Sequence, residues 1–131
     1  MRAGAAVKLA FQSQVLFVLR SADMQSTSDQ TFTRLASMTN YKILDIIAVR
    51  KTGAASVTCA GGIYDAAAKG GNAIVAVGQS WVTLAAGVNV TATLAALNAT
   101  TLLANTPILT LTTGSTAACT ADIFIVGYPI D

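Results

Sequence analysis

The chain has 131 residues, of which 53% are hydrophobic and 11% are charged, and its formal net charge is +2. This length predicts one domain over residues 1–131, the hydrophobicity excludes intrinsic disorder, and the small net charge gives no electrostatic reason to expect nucleic acid or an anionic membrane as a partner. The chain has no histidine and no glutamate, so it lacks the usual general base and the commonest metal ligand, and we expect a protein that is not an enzyme and binds no cofactor or metal.

Strand patterns recur along the chain at short spacing, whereas helical patterns are scarce. Val15–Leu19 is a short apolar run typical of a strand buried on both faces. Tyr41–Arg50 alternates with isoleucine on both sides, which suggests a partner on each face of that strand. The turn signal Lys51-Thr52-Gly53 then predicts a hairpin from Ile43 to Cys59. Further strands are predicted at Ala73–Val77, Val88–Leu94, Ile108–Thr112 and Ala121–Val126, and Thr31–Leu35 fits either a strand or a single helical turn.

These patterns predict the fold class. The alanine stretches Ala66–Ala68 and Ala95–Ala96 favour helix by composition, but they are short and flanked by Gly or Asn, so we expect at most one helical turn. About eight short strands with frequent turn signals are typical of an antiparallel sandwich or barrel. We therefore predict an all-β, antiparallel β-sandwich.

The charges are distributed unevenly along the chain. All eight basic residues lie between Arg2 and Lys69, and no charged residue occurs from Gly70 to Ala121. The second half must therefore cover itself with Thr, Ser, Asn and Gly, or bury much of its surface against other chains. The second possibility predicts an oligomer or an assembly subunit.

Segments typical of membrane insertion or secretion are interrupted. The most apolar window, Leu84–Ala104, contains Asn89 and several threonines, whereas a spanning helix needs about 20 mainly apolar residues. The first twenty residues resemble a signal peptide, but Lys8 and the polar residues 12–14 break its apolar core. We expect a soluble chain that is not secreted.

The cysteines and the loop aspartates are the candidates for a cross-link or a metal site. Without histidine, Cys59 and Cys119 cannot complete a tetrahedral zinc site. They form either a disulfide between two strands or a pair of buried thiols, and the lack of a secretion signal favours the thiols. Asp23 and Asp29 suggest a calcium loop by their spacing, but the EF-hand pattern is absent, so we expect them to cap turns.

Aromatic and basic residues are the candidates for contacts with a partner. Trp81 and Tyr128 fit interface anchors, although core packing suits Trp81 equally well. Arg50 and Lys51 fit a solvated hairpin tip.

One resemblance adds to these inferences. It is carried by the segment Ala60–Gly71 followed by Ala73–Ala76, by the polar segment Ala22–Gln30, by Tyr41 at the start of a long strand, and by the ending Ala121–Gly127. From about Ala22 to Gly127 the chain resembles small virion structural proteins of tailed bacteriophages, among them the jelly-roll capsid decoration, or cement, proteins. The resemblance implies a jelly roll and a homotrimer on the outer surface of the phage head. It also implies binding to the major capsid protein and synthesis in the bacterial cytoplasm, and it supplies no catalytic or cofactor residues.

The leading hypothesis is therefore a capsid decoration protein that stabilises the assembled head. One alternative is a head-fibre or tail-fibre module that binds a host-surface receptor. Another is a small carbohydrate-active enzyme, which needs two carboxyl groups roughly 5–10 Å apart, and no aspartate lies in such a motif.

Basic residues of the charged first half are the candidates for the capsid contact. They are Arg2, Lys8, Arg50 and Lys51, because only this half offers electrostatic complementarity. Residues 1–14 form either an extended arm along a neighbouring surface or the first strand of the sandwich.

Overall fold

A computed structural model describes residues 13–36, 40–85, 87–95, 102–103 and 105–130, and within these ranges the chain forms ten β-strands and no helix. The strands are β1 (Gln14–Asp23), β2 (Gln30–Thr31), β3 (Thr33–Arg34), β4 (Asn40–Gly53), β5 (Ala60–Tyr64), β6 (Ala73–Val75), β7 (Val90–Thr91), β8 (Leu102–Leu103), β9 (Ile108–Thr113) and β10 (Cys119–Ile130). The prediction of an all-β chain is confirmed. Most strands are short, as expected, but β4 and β10 have 14 and 12 residues, and β4 contains the long strand predicted from Tyr41.

The strands form two antiparallel sheets. One has the order β3-β1-β10-β4-β7, with β8 also paired to β4, and the other has the order β2-β9-β5-β6. The longest ladder joins β4 to β10, from Asn40 opposite Ile130 to Gly53 opposite Cys119. Because β1 pairs with the other edge of β10, three long strands form the centre of the six-stranded sheet.

One hydrophobic cluster joins the two sheets. In β10 the side chains alternate between buried and half-buried from Cys119 to Gly127, which is the period of a strand with one face on the core. Side chains from both sheets and from the β6–β7 connection meet in this cluster: Leu16, Phe17, Tyr41, Ile43, Ile46, Ile123 and Ile125, then Ile63, Ile74, Leu109 and Leu111, and finally Trp81 and Leu84. The arrangement is sandwich-like, with the core between the sheets.

Four of the five residues in the apolar run of β1 are buried, as its sequence predicts, while Val15 is 37% exposed. Leu16, Phe17, Val18 and Leu19 are all buried, although Phe17 faces the core and Val18 pairs with the outward-facing Phe124. The Phe17 ring meets Tyr41 edge-on, with ring centroids 5.1 Å apart.

The predicted hairpin from Ile43 to Cys59 is wrong. The turn signal Lys51-Thr52-Gly53 still belongs to β4, where Thr52 and Gly53 pair with β10. Gly53 has a φ of +92°, a conformation that suits glycine, and there the chain leaves the six-stranded sheet. It enters the other sheet at Ala60, so β5 pairs with β9 and β6 and not with β4.

In two other segments, each predicted to be a single element, the chain crosses from one sheet to the other. Within Val88–Leu94 only β7 is a strand. It pairs with β4 in one sheet, and the chain then forms a bridge from Leu94 to Val75 in the other sheet. Thr31–Leu35 likewise contains β2 of one sheet and β3 of the other. Both segments divide their backbone hydrogen bonds between two sheets, which side-chain periodicity does not reveal.

Candidate interaction surfaces

Four connections between strands lie together at one end of the two sheets. They comprise residues 24–29, 54–59, 76–85 with 87–89, and 114–118. Backbone hydrogen bonds join them, among them Ser115 N–H to Met24 C=O (2.6 Å), Thr116 N–H to Val57 C=O (3.3 Å), Ser56 N–H to Leu84 C=O (3.0 Å) and Trp81 N–H to Cys59 C=O (2.8 Å). We call this surface the loop end.

Two buried serines fix the geometry of the loop end. The Ser56 hydroxyl donates to the Trp81 carbonyl and accepts a hydrogen bond from Leu84 N–H (3.2 Å). The Ser115 hydroxyl accepts hydrogen bonds from Val57 N–H (3.0 Å) and Ala117 N–H (3.3 Å). Both serines are almost fully buried, so they satisfy backbone groups that water does not reach. Sequence reasoning missed them, because nothing in their local pattern distinguishes them from exposed serines.

The described surface of the loop end carries little charge and is partly apolar. Asp29 is the one charged residue in the described parts of these four connections. Four of its valines are well exposed: Val57 (44%), Val77 (53%), Val82 (37%) and Val88 (45%). Such a surface is suited to contacts through shape and apolar burial and not through charge.

Two threonines of the loop end have unusual backbone conformations. Thr58 and Thr83 have φ values of 54° and 83°, which are uncommon for β-branched residues and carry conformational strain. Because such strain concentrates at functional positions, it adds to the reasons for treating the loop end as a candidate contact surface.

Arg50 and Lys51 do not lie at a hairpin tip, so that prediction is wrong. Arg50 pairs with the core-facing Ala121, its guanidinium donates to the Gly53 carbonyl, and its Nε is buried with no acceptor among the described residues. The Lys51 ammonium donates to Ser21 Oγ (2.7 Å). Both cations therefore contact their own chain, and Arg50 is poorly placed to meet a partner.

The other two residues predicted for the capsid contact lie outside the described residues. These are Arg2 and Lys8, and with them the predicted arm up to residue 12. Gln14, at the end of that arm, is the first residue of β1 and pairs with Gly127.

Of the two loop aspartates, Asp23 caps a turn, as expected, whereas Asp29 binds groups that are distant in the sequence. Asp23 Oδ1 accepts a hydrogen bond from Gln25 N–H (3.0 Å), which is an Asx turn. Asp29 accepts from Thr110 Oγ1 (2.6 Å) and from Ala68 N–H (2.9 Å). These two donors hold the pKa of Asp29 below its usual value, the Thr110 hydroxyl contributing more. Within the described ranges, no three Cys, Asp, Glu or His side chains come close enough to hold a metal ion.

Both cysteines are buried free thiols. Cys59 directly precedes β5 in one sheet, and Cys119 begins β10 in the other. The Cys59 thiol donates to the Met24 carbonyl (3.5 Å), and Met24 N–H donates to the Cys119 carbonyl (3.0 Å). Burial raises the pKa of Cys59 to about 11, with a smaller effect from nearby Cys119, and burial also raises the pKa of Cys119. Neither thiol is therefore a reactive thiolate near neutral pH.

Trp81 belongs to the core. Its side chain is fully buried, and its indole N–H donates to the Gly61 carbonyl (3.0 Å). This position leaves Trp81 no role as an exposed anchor, whereas Tyr128 is half-buried on the six-stranded sheet.

Comparisons with protein-family models, with curated proteins and with solved structures found no match for this chain. Across the described ranges, no helix has the length and apolarity needed to cross a membrane, and no enclosed pocket is found there. The candidate site is therefore a surface, and its function has to be argued from its shape and chemistry.

Proposed function

We propose that this chain is a non-enzymatic structural protein of a bacteriophage virion, namely a jelly-roll capsid decoration protein that binds the outer surface of the head. The fold part of the proposal is supported by which strands pair. Four strands have only two residues, and two of them, β3 and β8, lie outside the scheme that follows. The other eight strands pair as first with last, second with seventh, third with sixth and fourth with fifth. This is the pairing of one long hairpin rolled into two sheets, which is how a jelly roll is built.

The loop end is the observation that carries the functional part. It is a rigid surface, held by buried hydrogen bonds, that presents exposed valines and almost no charge. A decoration protein acts by binding the assembled shell and not its separated subunits, which shifts the equilibrium towards the shell. An apolar, preorganised end loses little conformational freedom on binding, so it suits a protein that stabilises a shell through added contacts.

We further propose that the binding unit is a homotrimer made in the bacterial cytoplasm. The charge-poor second half of the chain and the resemblance to phage head proteins both support self-association. Sedimentation equilibrium at micromolar concentration measures the mass of this unit directly, and a monomer in moderate salt contradicts the trimer.

The test of the proposed function uses heads of the phage that encodes the chain, prepared without it. Purified wild-type protein should bind these heads at hundreds of copies and raise the temperature at which they release DNA. Val57→Asp at the loop end should weaken binding, since it buries a charge in an apolar contact. The matched control Ile130→Asp, at an exposed apolar position at the other end of β10, should bind like wild type. Binding at only a few copies per particle favours the fibre module, and no binding contradicts a virion role on this head.

A truncation separates the loop end from the N-terminal arm as the capsid contact. Deleting residues 1–9 removes Arg2 and Lys8 and leaves all of β1. If the arm makes the contact, the truncated protein stays folded but binds heads weakly. Undiminished binding by the folded truncation assigns the contact to the loop end, and unfolding assigns the segment to the sandwich.

A further inference from the structure

The outer faces of the two sheets differ in how they are covered. The connection between β5 and β6, residues 65–72, folds back over the outside of the four-stranded sheet. Its Ala68 N–H donates to Asp29, and the Lys69 ammonium lies 3.4 Å from Thr112 Oγ1. Beneath it, Tyr64 and Thr110 are each only 5% exposed. This face is therefore closed by the chain itself.

Among the described residues, the outer face of the six-stranded sheet carries a group of apolar side chains. Pairing places Phe124 of β10 beside Val18 of β1 and Ile47 of β4, and directly paired residues lie on the same face of a sheet. Two residues further along β10, Val126 faces the same side as Phe124 and pairs with Val15 of β1. Two residues before Phe124, Asp122 also faces this side and pairs with Val49 of β4.

We call Val15, Ile47, Val49, Phe124 and Val126 the outer patch. Its residues are half-buried, or 37% exposed in the case of Val15. Contiguous apolar patches of this kind on soluble proteins mark interaction sites.

The charges along β4 make this face complementary to itself. Asp45, Ile47, Val49 and Lys51 follow one another at every second position, symmetrically about Ala48. Lys51 is the extra residue of a bulge in β4. Its ammonium donates to the Ser21 hydroxyl, and the Ser21 N–H donates to the carboxylate of the outward-facing Asp122. The Lys51 side chain therefore lies on the outer side of the sheet. Asp45 and Lys51 are about 20 Å apart, too far to pair within one chain.

We propose that two copies of this chain pack face to face through the outer patch, related by a two-fold axis that crosses β4 at Ala48. This axis places Asp45 of each copy opposite Lys51 of the other, and Ile47 opposite Val49. The result is an apolar centre flanked by two ion pairs, which is the common anatomy of an interface, and the strands of the two sheets align as in sheet-on-sheet packing.

This contact is independent of the proposed head-binding function. A two-fold contact adds to a trimer contact and does not replace it, so the chain forms a dimer by itself or a hexamer if trimers also form.

The first experiment measures the mass of the wild type and of two variants by sedimentation equilibrium between micromolar and millimolar concentration. A dimer or hexamer supports the face-to-face contact, whereas a monomer or trimer overturns it. A trimer at the same time supports the proposed homotrimer, and a dimer contradicts it, so the two proposals fail separately. Phe124→Lys should weaken the two-fold contact at least about tenfold, while the control Ala67→Lys, at an exposed site on the opposite sheet, should not change it. Circular dichroism checks that both variants are folded.

The second experiment exchanges the charges. Asp45→Lys alone and Lys51→Asp alone each place like charges opposite each other twice, so each should dissociate the pair. The double variant restores both ion pairs and should associate like wild type. Mixing the two single variants should produce a mixed pair, since one copy then carries only the cations and the other only the acids at these sites. Failure of both the double variant and the mixture to associate overturns the two-fold geometry.

Discussion

Replacing Ser56 with alanine should destabilise the protein more than any exposed serine does. The hydroxyl is buried, donates to the Trp81 carbonyl and accepts from Leu84 N–H, so alanine leaves both groups without these partners. Each buried polar group left unpaired costs about 1–3 kcal/mol, which gives a loss of roughly 2–4 kcal/mol in the free energy of unfolding. For a chain of this length, a change of ~1 kcal/mol moves Tm by roughly 3–5 °C, so we expect Tm to fall by about 10 °C.

Urea denaturation followed by tryptophan fluorescence measures this loss, because Trp81 is the only tryptophan and lies in the same contact. Ser80→Ala is the matched control. Ser80 is exposed and its hydroxyl accepts one hydrogen bond, from Val82 N–H (3.3 Å), so its loss should cost less than about 1 kcal/mol. A Ser56→Ala protein within about 0.5 kcal/mol of wild type refutes the reasoning.

Three further changes test other parts of the structure. Gly53→Ala should destabilise by about 2 kcal/mol or more, measured by thermal unfolding, because φ is +92° and the added methyl overlaps the Ala118 carbonyl; unchanged stability contradicts the positive φ. The pKa of Asp29 is lowered in the folded state, so the stability that its carboxylate contributes is complete above about pH 4, the ordinary carboxyl value, and is lost as pH falls through the lowered pKa. Asp29→Asn should lack this acid-dependent part of the stability in urea titrations at several pH values. A variant with the same pH profile as wild type contradicts the role. Iodoacetamide should modify Cys59 and Cys119 only after unfolding, as read from the intact mass, because both thiols are buried; an unmodified chain lighter by two hydrogens reveals a disulfide.

Strands that keep one partner arrangement along their length could be predicted from the sequence. In β4 and β10 the side chains alternate with the two-residue period of a sheet, because one face of each strand packs on the core. The apolar run of β1 is recognisable for another reason, since four successive residues of it are buried. The sequence underestimates how far these strands extend. β10 continues through Gly127 and Pro129 because both pair with β4, although these residues usually indicate that a strand has ended.

Pairing between strands could not be predicted, since it depends on residues far apart in the chain. The segment Ala55–Cys59 has the composition of a strand, yet its backbone hydrogen bonds go to neighbouring connections, for example from Ser56 N–H to Leu84. The sequence predicts a hairpin between this segment and β4, because β4 is the strand that precedes it in the chain. In the structure β4 pairs with β10, and the first and last long strands of the chain lie side by side.

The candidate contact residues show why composition does not identify an interface. The sequence favours the basic first half of the chain, because only that half carries the charge needed for electrostatic complementarity. The structure turns Arg50 towards the core, so the number of cations overstates the charge that is free to meet a partner. The apolar surfaces are more informative. One sheet is covered by its own 65–72 connection, while the described residues of the other sheet present Phe124 and its apolar neighbours, and the loop end presents exposed valines in addition. The two proposals use these surfaces separately, the outer patch for a second copy of the chain and the loop end for the phage head.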